Sequence, residues 1–98
     1  VLPSRSEGLP ISLLEAMSSE LPVACSLAGG IRSHFSEDEV TVIDPLTAEG
    51  VANAIKKVLS DPKAARRKAS LASMRVRKDF SWDSVAQKYI DVYERLAD

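Results

Sequence analysis

The sequence predicts an α/β fold: part of an open parallel sheet covered by helices, followed by a helical C-terminal tail. Three observations predict it. Short apolar runs at Leu21–Ser26 and Val40–Ile43 have the length and flanks of buried strands, a helical repeat separates the first of them from Val1–Leu2, and helical periodicity takes over from Thr47 onward. The resulting order is strand, helix, strand, short connection, strand and three helices, which is the pattern of a parallel sheet with helical cover. Open sheets of this kind bind ligands at the carboxyl ends of their strands.

Val1–Leu2, just before the polar turn Pro3-Ser4-Arg5-Ser6, reads as the tail of a strand. From Pro10 to Ser19, Ile11, Leu14 and Met17 recur at helical spacing, Leu13 widens the apolar face, and Pro10 is tolerated in a first turn. The second strand, Leu21–Ser26, feeds a tight turn at Gly29-Gly30, and Ile31–Glu39 has room for one helical turn before the strand Val40–Ile43. Thr47 is placed to cap a helix whose face is Val51, Ala52, Ile55, Val58 and Leu59. Asp61, with Pro62 behind it, caps the next, which carries a shallow stripe of Ala65, Ala69, Ala72 and Val76 and ends at Phe80. Ser81 caps the last, where Trp82, Val85, Ala86, Tyr89, Ile90, Val92, Tyr93 and Leu96 form a broad apolar stripe suited to core packing.

The 98 residues have room for one core at most, and the net charge of −1 gives no electrostatic reason to expect nucleic acid as a partner. The basic run Arg66, Arg67, Lys68, Arg75, Arg77 and Lys78 is expected to be a solvated helix face, and Arg5 a surface arginine. Cys25 is the only cysteine and His34 the only histidine, too few soft ligands for a zinc site, so no metal is expected. Cys25 is read as a buried small hydrophobe and His34 as a loop or surface residue, neither of them expected to be catalytic. No apolar run is long enough for a signal or a membrane span, and a cytoplasmic setting is expected, with peripheral attachment to a membrane left open. The chain opens on Val1 rather than a methionine, and two strands and a stub leave sheet edges and helix faces without partners. Residues 1–98 are therefore expected to be a fragment: a partial ligand-binding domain that lacks upstream strands, exposes apolar surface from Ile11, Leu14, Val85 or Tyr89, and tends to self-associate.

The residues that carry chemistry are Glu7 and Glu15. Glu7 sits in the turn after a strand, where parallel sheets present ligand-binding groups, and Glu15 lies in the helix that follows, so both are expected to face one cleft. The peptide N–H groups of Gly8, Leu9 and Ile11 stand at the helix start, where unpaired donors and the positive end of the helix dipole favour a phosphate. Gly8 leaves room for a ligand to approach the backbone, and a carboxylate accepts paired hydrogen bonds from vicinal hydroxyls.

In this setting the stretch Pro3-Ser4-Arg5-Ser6-Glu7-Gly8-Leu9-Pro10-Ile11-Ser12-Leu13-Leu14-Glu15-Ala16-Met17, with Leu21-Pro22-Val23, Gly29-Gly30, Phe80-Ser81-Trp82 and Tyr93-Glu94, resembles the C-terminal half of family 4, or group 1, glycosyltransferases. The resemblance covers nearly the whole chain and centres on two glutamates separated by seven residues. It implies part of a Rossmann-like sheet, the C-terminal half of a GT-B fold. It also implies transfer of a sugar from a nucleotide sugar to an acceptor with retention of anomeric configuration. By the same resemblance Glu7 contacts the donor sugar, Glu15 the nucleotide ribose, and the backbone of Gly8, Leu9 and Ile11 the diphosphate. The nucleotide sugar is a substrate and no cofactor is implied; no residue is assigned to catalysis. The family's acceptor domain and basic diphosphate clamp lie upstream of the matched region, so an N-terminal domain of the same chain is the implied partner, the acceptor is unknown, and the fragment alone is expected to be inactive. This sequence departs from the family at Glu20, where glycine is common, at Ser33, where glutamate is common, and across Ser36–Val40, which lacks the usual glycine. Two other readings remain at this point: a truncated, non-catalytic module that binds a nucleotide or a protein, and an unrelated Rossmann-like domain, although the chain has no G-x-G-x-x-G.

Overall fold

The computed structural model describes residues 1–97. Its elements are α1 (Ile11–Ser18), β1 (Ala24–Cys25), α2 (Gly30–His34), β2 (Thr41–Val42), α3 (Ala48–Ser60), α4 (Pro62–Asp79) and α5 (Trp82–Ala97). β1 and β2 are parallel, with Ala24 opposite Thr41 and Cys25 opposite Val42. Leu2 forms a parallel bridge to Cys25, its N–H donating to the Ala24 carbonyl at 2.9 Å and its carbonyl accepting from Ser26 at 3.2 Å. β1 is thus central between the Leu2 segment and β2, and the three run in chain order with helices as crossovers, as expected for a parallel sheet.

Alternation along β1 divides the core. Val23 and Cys25 point to one face, where they meet Leu13 and Met17 of α1, Ile31, Phe35, Val40, and Ala72 and Val76 of α4. Ala24 points to the other, where Ile43 and Ala54 of α3 cover it, with Leu46 and Val51 partly buried alongside. The sheet is therefore a middle layer, with α1, α2 and α4 on one side and α3 on the other.

The three expected caps form. The Thr47 hydroxyl accepts from the Gly50 N–H at 3.0 Å, the Asp61 carboxylate from Ala64 at 3.1 Å, and the Ser81 hydroxyl from Ser84 at 3.1 Å. The alanine stripe of α4 is buried as read, because small side chains let this helix lie close against α1.

Two helical faces differ from expectation. In α3 the buried residues are Gly50 and Ala54, while Ile55 and Leu59 face outward: the helix approaches the sheet on its small residues, with Val51 partly buried beside them. In α5 no residue is buried: Trp82 and Tyr93, read as suited to core packing, are 85% and 68% exposed, while Tyr89 at 63% and Ile11 of α1 at 67% are exposed as expected of a chain without its covering elements. α5 extends from the end of α4, and so the radius of gyration is 15.3 Å, against about 13 Å for a compact domain of 100 residues.

Candidate functional site

The site is built where the chain leaves the sheet after Leu2, turns through residues 3–10 and enters α1. Within the turn, the Ser4 hydroxyl donates to Glu7 Oε1 at 2.7 Å, and the hydroxyl of buried Ser26 donates to the Ser4 carbonyl. Ser26 follows β1, so the central strand holds the turn and the turn holds the carboxylate. The Glu7 main chain is fixed as well, because its carbonyl accepts from the Gly30 N–H at 3.0 Å.

That contact explains the paired glycines. Gly29 has φ +46°, and a Cβ there would overlap the Glu7 carbonyl oxygen, while a Cβ at Gly30 would overlap that of Gly8. The turns that follow two neighbouring strands are therefore stacked backbone against backbone. Gly8 differs, since a Cβ there would meet nothing within 4 Å, and its outer side is open.

Glu15 is exposed, on the opposite side of α1 from Leu13 and Met17. Among the described residues no hydrogen bond or ion pair holds its carboxylate, in contrast to Glu7. It lines a cleft of about 670 Å³ whose walls are Leu9, Ile11, Leu14 and Ser18 on one side and Val76, Arg77, Phe80, Ser81, Trp82 and Val85 on the other. Leu9, Ile11 and Glu15 thus share the cleft. Glu7 and Gly8 are not among its walls and stand in the preceding turn, against the Gly29-Gly30 backbone.

Pro10 at the N-cap of α1 offers no side-chain cap, and its carbonyl serves the Leu13 and Leu14 N–H groups. Among the described residues the N–H groups of Gly8, Leu9, Ile11 and Ser12 have no hydrogen-bond acceptor. Ser12 extends the row of donors read from the sequence. The signal for it was available, since all of the first four N–H groups of a helix lack intrahelical partners.

Of the residues set aside, His34 stands at the end of α2 rather than in a loop. Cys25 is fully buried, and burial pushes its thiol from 9.0 up to about 11. His34 is exposed and meets the Phe80 ring edge-on at 5.3 Å. The basic run is only in part a solvated face. Arg75 pairs with buried Glu39 at 2.9 Å and lies over the Phe35 ring, Lys68 donates to the Glu37 and Val40 carbonyls, and Arg77 to that of Ser18.

The sequence profile of the family described as glycosyl transferases group 1 matches residues 1–73. The chain belongs to this family. It is 36% identical over 94 residues to a glycogen synthase of Mycobacterium tuberculosis (strain CDC 1551 / Oshkosh), covering 95% of this chain and 23% of that protein. It is 29% identical over 96 residues to an MMP alpha-(1->4)-mannosyltransferase of Mycolicibacterium hassiacum, again over 23% of the relative's length. Among solved structures it is similar to sucrose-phosphate synthase from Thermosynechococcus elongatus, with a TM-score of 0.84 and 32% identity over 96% of this chain and 24% of that one. The chain spans about a quarter of the length of these relatives. Its fold is that of a piece of a GT-B glycosyltransferase, a small parallel sheet with mostly helical surroundings.

Within this group 1 glycosyltransferase chain, the departure at Glu20 has a physical meaning. Glu20 has φ +57°, its N–H donates to the Met17 carbonyl at 3.0 Å, and the Leu21 N–H donates to that of Ala16 at 3.1 Å. This is a Schellman ending of α1 with Glu20 at the left-handed position that glycine fits best. The backbone has kept the turn without the glycine.

Proposed function

We propose that residues 1–98 are the donor-binding part of a retaining glycosyltransferase that moves a sugar from a nucleotide sugar to an acceptor. Glu7 holds the hydroxyls of the donor sugar, Glu15 those of the nucleotide ribose, and the N–H groups of Gly8, Leu9 and Ile11 the diphosphate. The observation that carries this reading is the contrast along one strand–turn–helix unit of a group 1 glycosyltransferase. A carboxylate fixed by Ser4 comes first, unpaired backbone donors follow, and a free carboxylate in a cleft comes last.

The chemistry follows from that order. Glu7 keeps one oxygen for Ser4 and offers the other lone pairs to a sugar without having to be ordered first, which lowers the cost of binding. Backbone donors aimed at the diphosphate stabilise charge as it develops on the leaving group, and holding the donor against an acceptor supplies much of the remaining acceleration. The acceptor wall and the cationic clamp belong to the rest of the polypeptide. Residues 1–98 alone supply part of the donor wall and do not turn over.

The test is a transfer assay on the complete polypeptide, with a panel of nucleotide sugars and NMR of the product's anomeric proton. Release of nucleoside diphosphate with retained configuration agrees with the proposal. Transfer with inversion, or a complete polypeptide that binds a nucleotide without transferring from any donor, contradicts it.

A further inference from the structure

Charge is distributed very unevenly over the chain. α4 carries seven of the thirteen basic residues and one of the fourteen acidic ones, so this helix is at +6 while the remaining residues sum to −7. Its buried stripe, Ala65, Ala69, Ala72, Ser73 and Val76, faces the core, and the opposite ridge is Lys63, Arg67, Leu71, Met74 and Lys78, flanked by Arg66. Those four cations make no hydrogen bond among the described residues, unlike Lys68, Arg75 and Arg77. Asp79 is turned towards Arg75 at 3.7 Å rather than along the ridge. Asp61 caps the N-terminal end of the helix, where its carboxylate accepts from the Ala64 N–H, and Glu37 and Asp38 share a depression with Lys57, Arg67 and Lys68 and are outnumbered there.

Two features of the ridge go beyond solubility. Leu71 and Met74 are 51% and 67% exposed in its middle, among the cations. The ridge is also straight and long, about 23 Å from Lys63 to Lys78 at the helical rise. No helix among the described residues is long and apolar enough to cross a membrane.

We propose that the outer face of α4 docks this protein on an anionic bilayer surface, with the cations at the headgroup phosphates and Leu71 and Met74 at the acyl boundary. A helix lying flat with basic flanks and a few apolar side chains is the form that such binding takes. Each basic side chain near an anionic leaflet contributes roughly fivefold in partitioning, so four of them give roughly several hundredfold, and two partly inserted side chains add to that. A nucleic-acid backbone fits less well. It would strip water from Leu71 and Met74 without offering them an apolar contact, and the ridge has no aromatic side chain on which a base would stack. The inference is independent of donor chemistry.

The test is flotation of the full chain with vesicles of phosphatidylcholine alone and of phosphatidylcholine with roughly one-third phosphatidylglycerol, a surface charge that attracts basic segments. The chain is expected to float with the anionic vesicles only and to be released as the ionic strength approaches ~1 M, where screening extends over about 3 Å. Joint replacement Lys63→Gln, Arg67→Gln and Lys78→Gln is expected to weaken binding roughly a hundredfold. Leu71→Ser with Met74→Ser is expected to weaken binding to vesicles but not retention on heparin. All five positions are solvent-facing, and the salt dependence of the unmodified chain tests the proposal even where a variant misfolds. Equal flotation with neutral vesicles, indifference to salt, or binding to duplex DNA as tight as to anionic vesicles would overturn it.

Discussion

Ser4 and Glu7 are joined across the turn between the Leu2 segment and α1 by a hydrogen bond of 2.7 Å, and the Ser4 carbonyl is in turn held by buried Ser26, the residue after β1. A side chain three residues from the carboxylate thereby transmits the rigidity of the sheet to it.

Removing that hydroxyl separates positioning from folding. Hydrogen bonds to charged groups contribute about 1.5–3 kcal/mol, so on the proposed function Ser4→Ala in the complete polypeptide is expected to lower kcat/KM for a nucleotide-sugar donor roughly ten- to a hundredfold. A urea melt should shift little, since Ser4 is only half-buried and Glu7 can return to water. Unchanged kinetics would show that Glu7 needs no such support.

Glu20→Gly is expected to stabilise the chain. A non-glycine residue in the left-handed region costs roughly 1–2 kcal/mol, and the added freedom of glycine in the unfolded chain returns about 0.5–1 of it, which leaves a gain of up to about 1.5 kcal/mol. Thermal unfolding checks it, and a lower Tm would mean that the Glu20 side chain contributes something that the Schellman geometry does not reveal.

Arg75→Met is expected to cost about 2–4 kcal/mol, because Glu39 is almost fully buried and would lose both of its bonds to the guanidinium. Replacing both residues, Arg75→Met with Glu39→Gln, should recover part of that loss. A double variant as unstable as the single one would place the cost in the Arg75 contact with the Phe35 ring, 5.2 Å away, rather than in the stranded carboxylate.

Cys25 gives a pH signature. Burial raises its thiol from 9.0 to about 11, so between those values the unfolded chain loses a proton that the folded chain keeps. This contribution is therefore fully present below pH 9 and is lost as pH rises to about 11. Urea melts across that window should show a fall in stability that Cys25→Ala reduces. Alkylation at neutral pH should be slow until the chain unfolds, and rapid alkylation of the native chain would contradict the burial.

Local signals were legible in the sequence, and long-range ones were not. Thr47, Asp61 and Ser81 each act within three residues of themselves, so their caps could be read directly. The α4 stripe was legible because its period is helical and its residues are small. In α5 the same kind of periodicity marked an apolar face but not its cover: exposure at Tyr89 was foreseeable from the missing partners, whereas that of Trp82 and Tyr93 was not. In α3 the larger residues were assigned to the core, whereas close approach to the sheet selected Gly50 and Ala54. The Glu39–Arg75 pair joins positions 36 residues apart and left no local trace. At the site, the family context marked both glutamates, and the Ser4–Glu7 bond spans only three residues; the part that left no local trace is the hold of Ser26 on the Ser4 carbonyl, 22 residues away.

The most direct test of the central claim is calorimetric titration of the complete polypeptide, its Glu7→Gln form and its Glu15→Gln form, each with the nucleotide sugar it uses and with the matching nucleoside diphosphate. A carboxylate that accepts from ribose should affect both ligands, so Glu15→Gln is expected to weaken both roughly ten- to a hundredfold. Glu7→Gln is expected to weaken the nucleotide sugar by a similar factor and leave the nucleoside diphosphate nearly unchanged. Loss of diphosphate binding on Glu7→Gln, or full affinity for both ligands in either variant, would contradict the assignment.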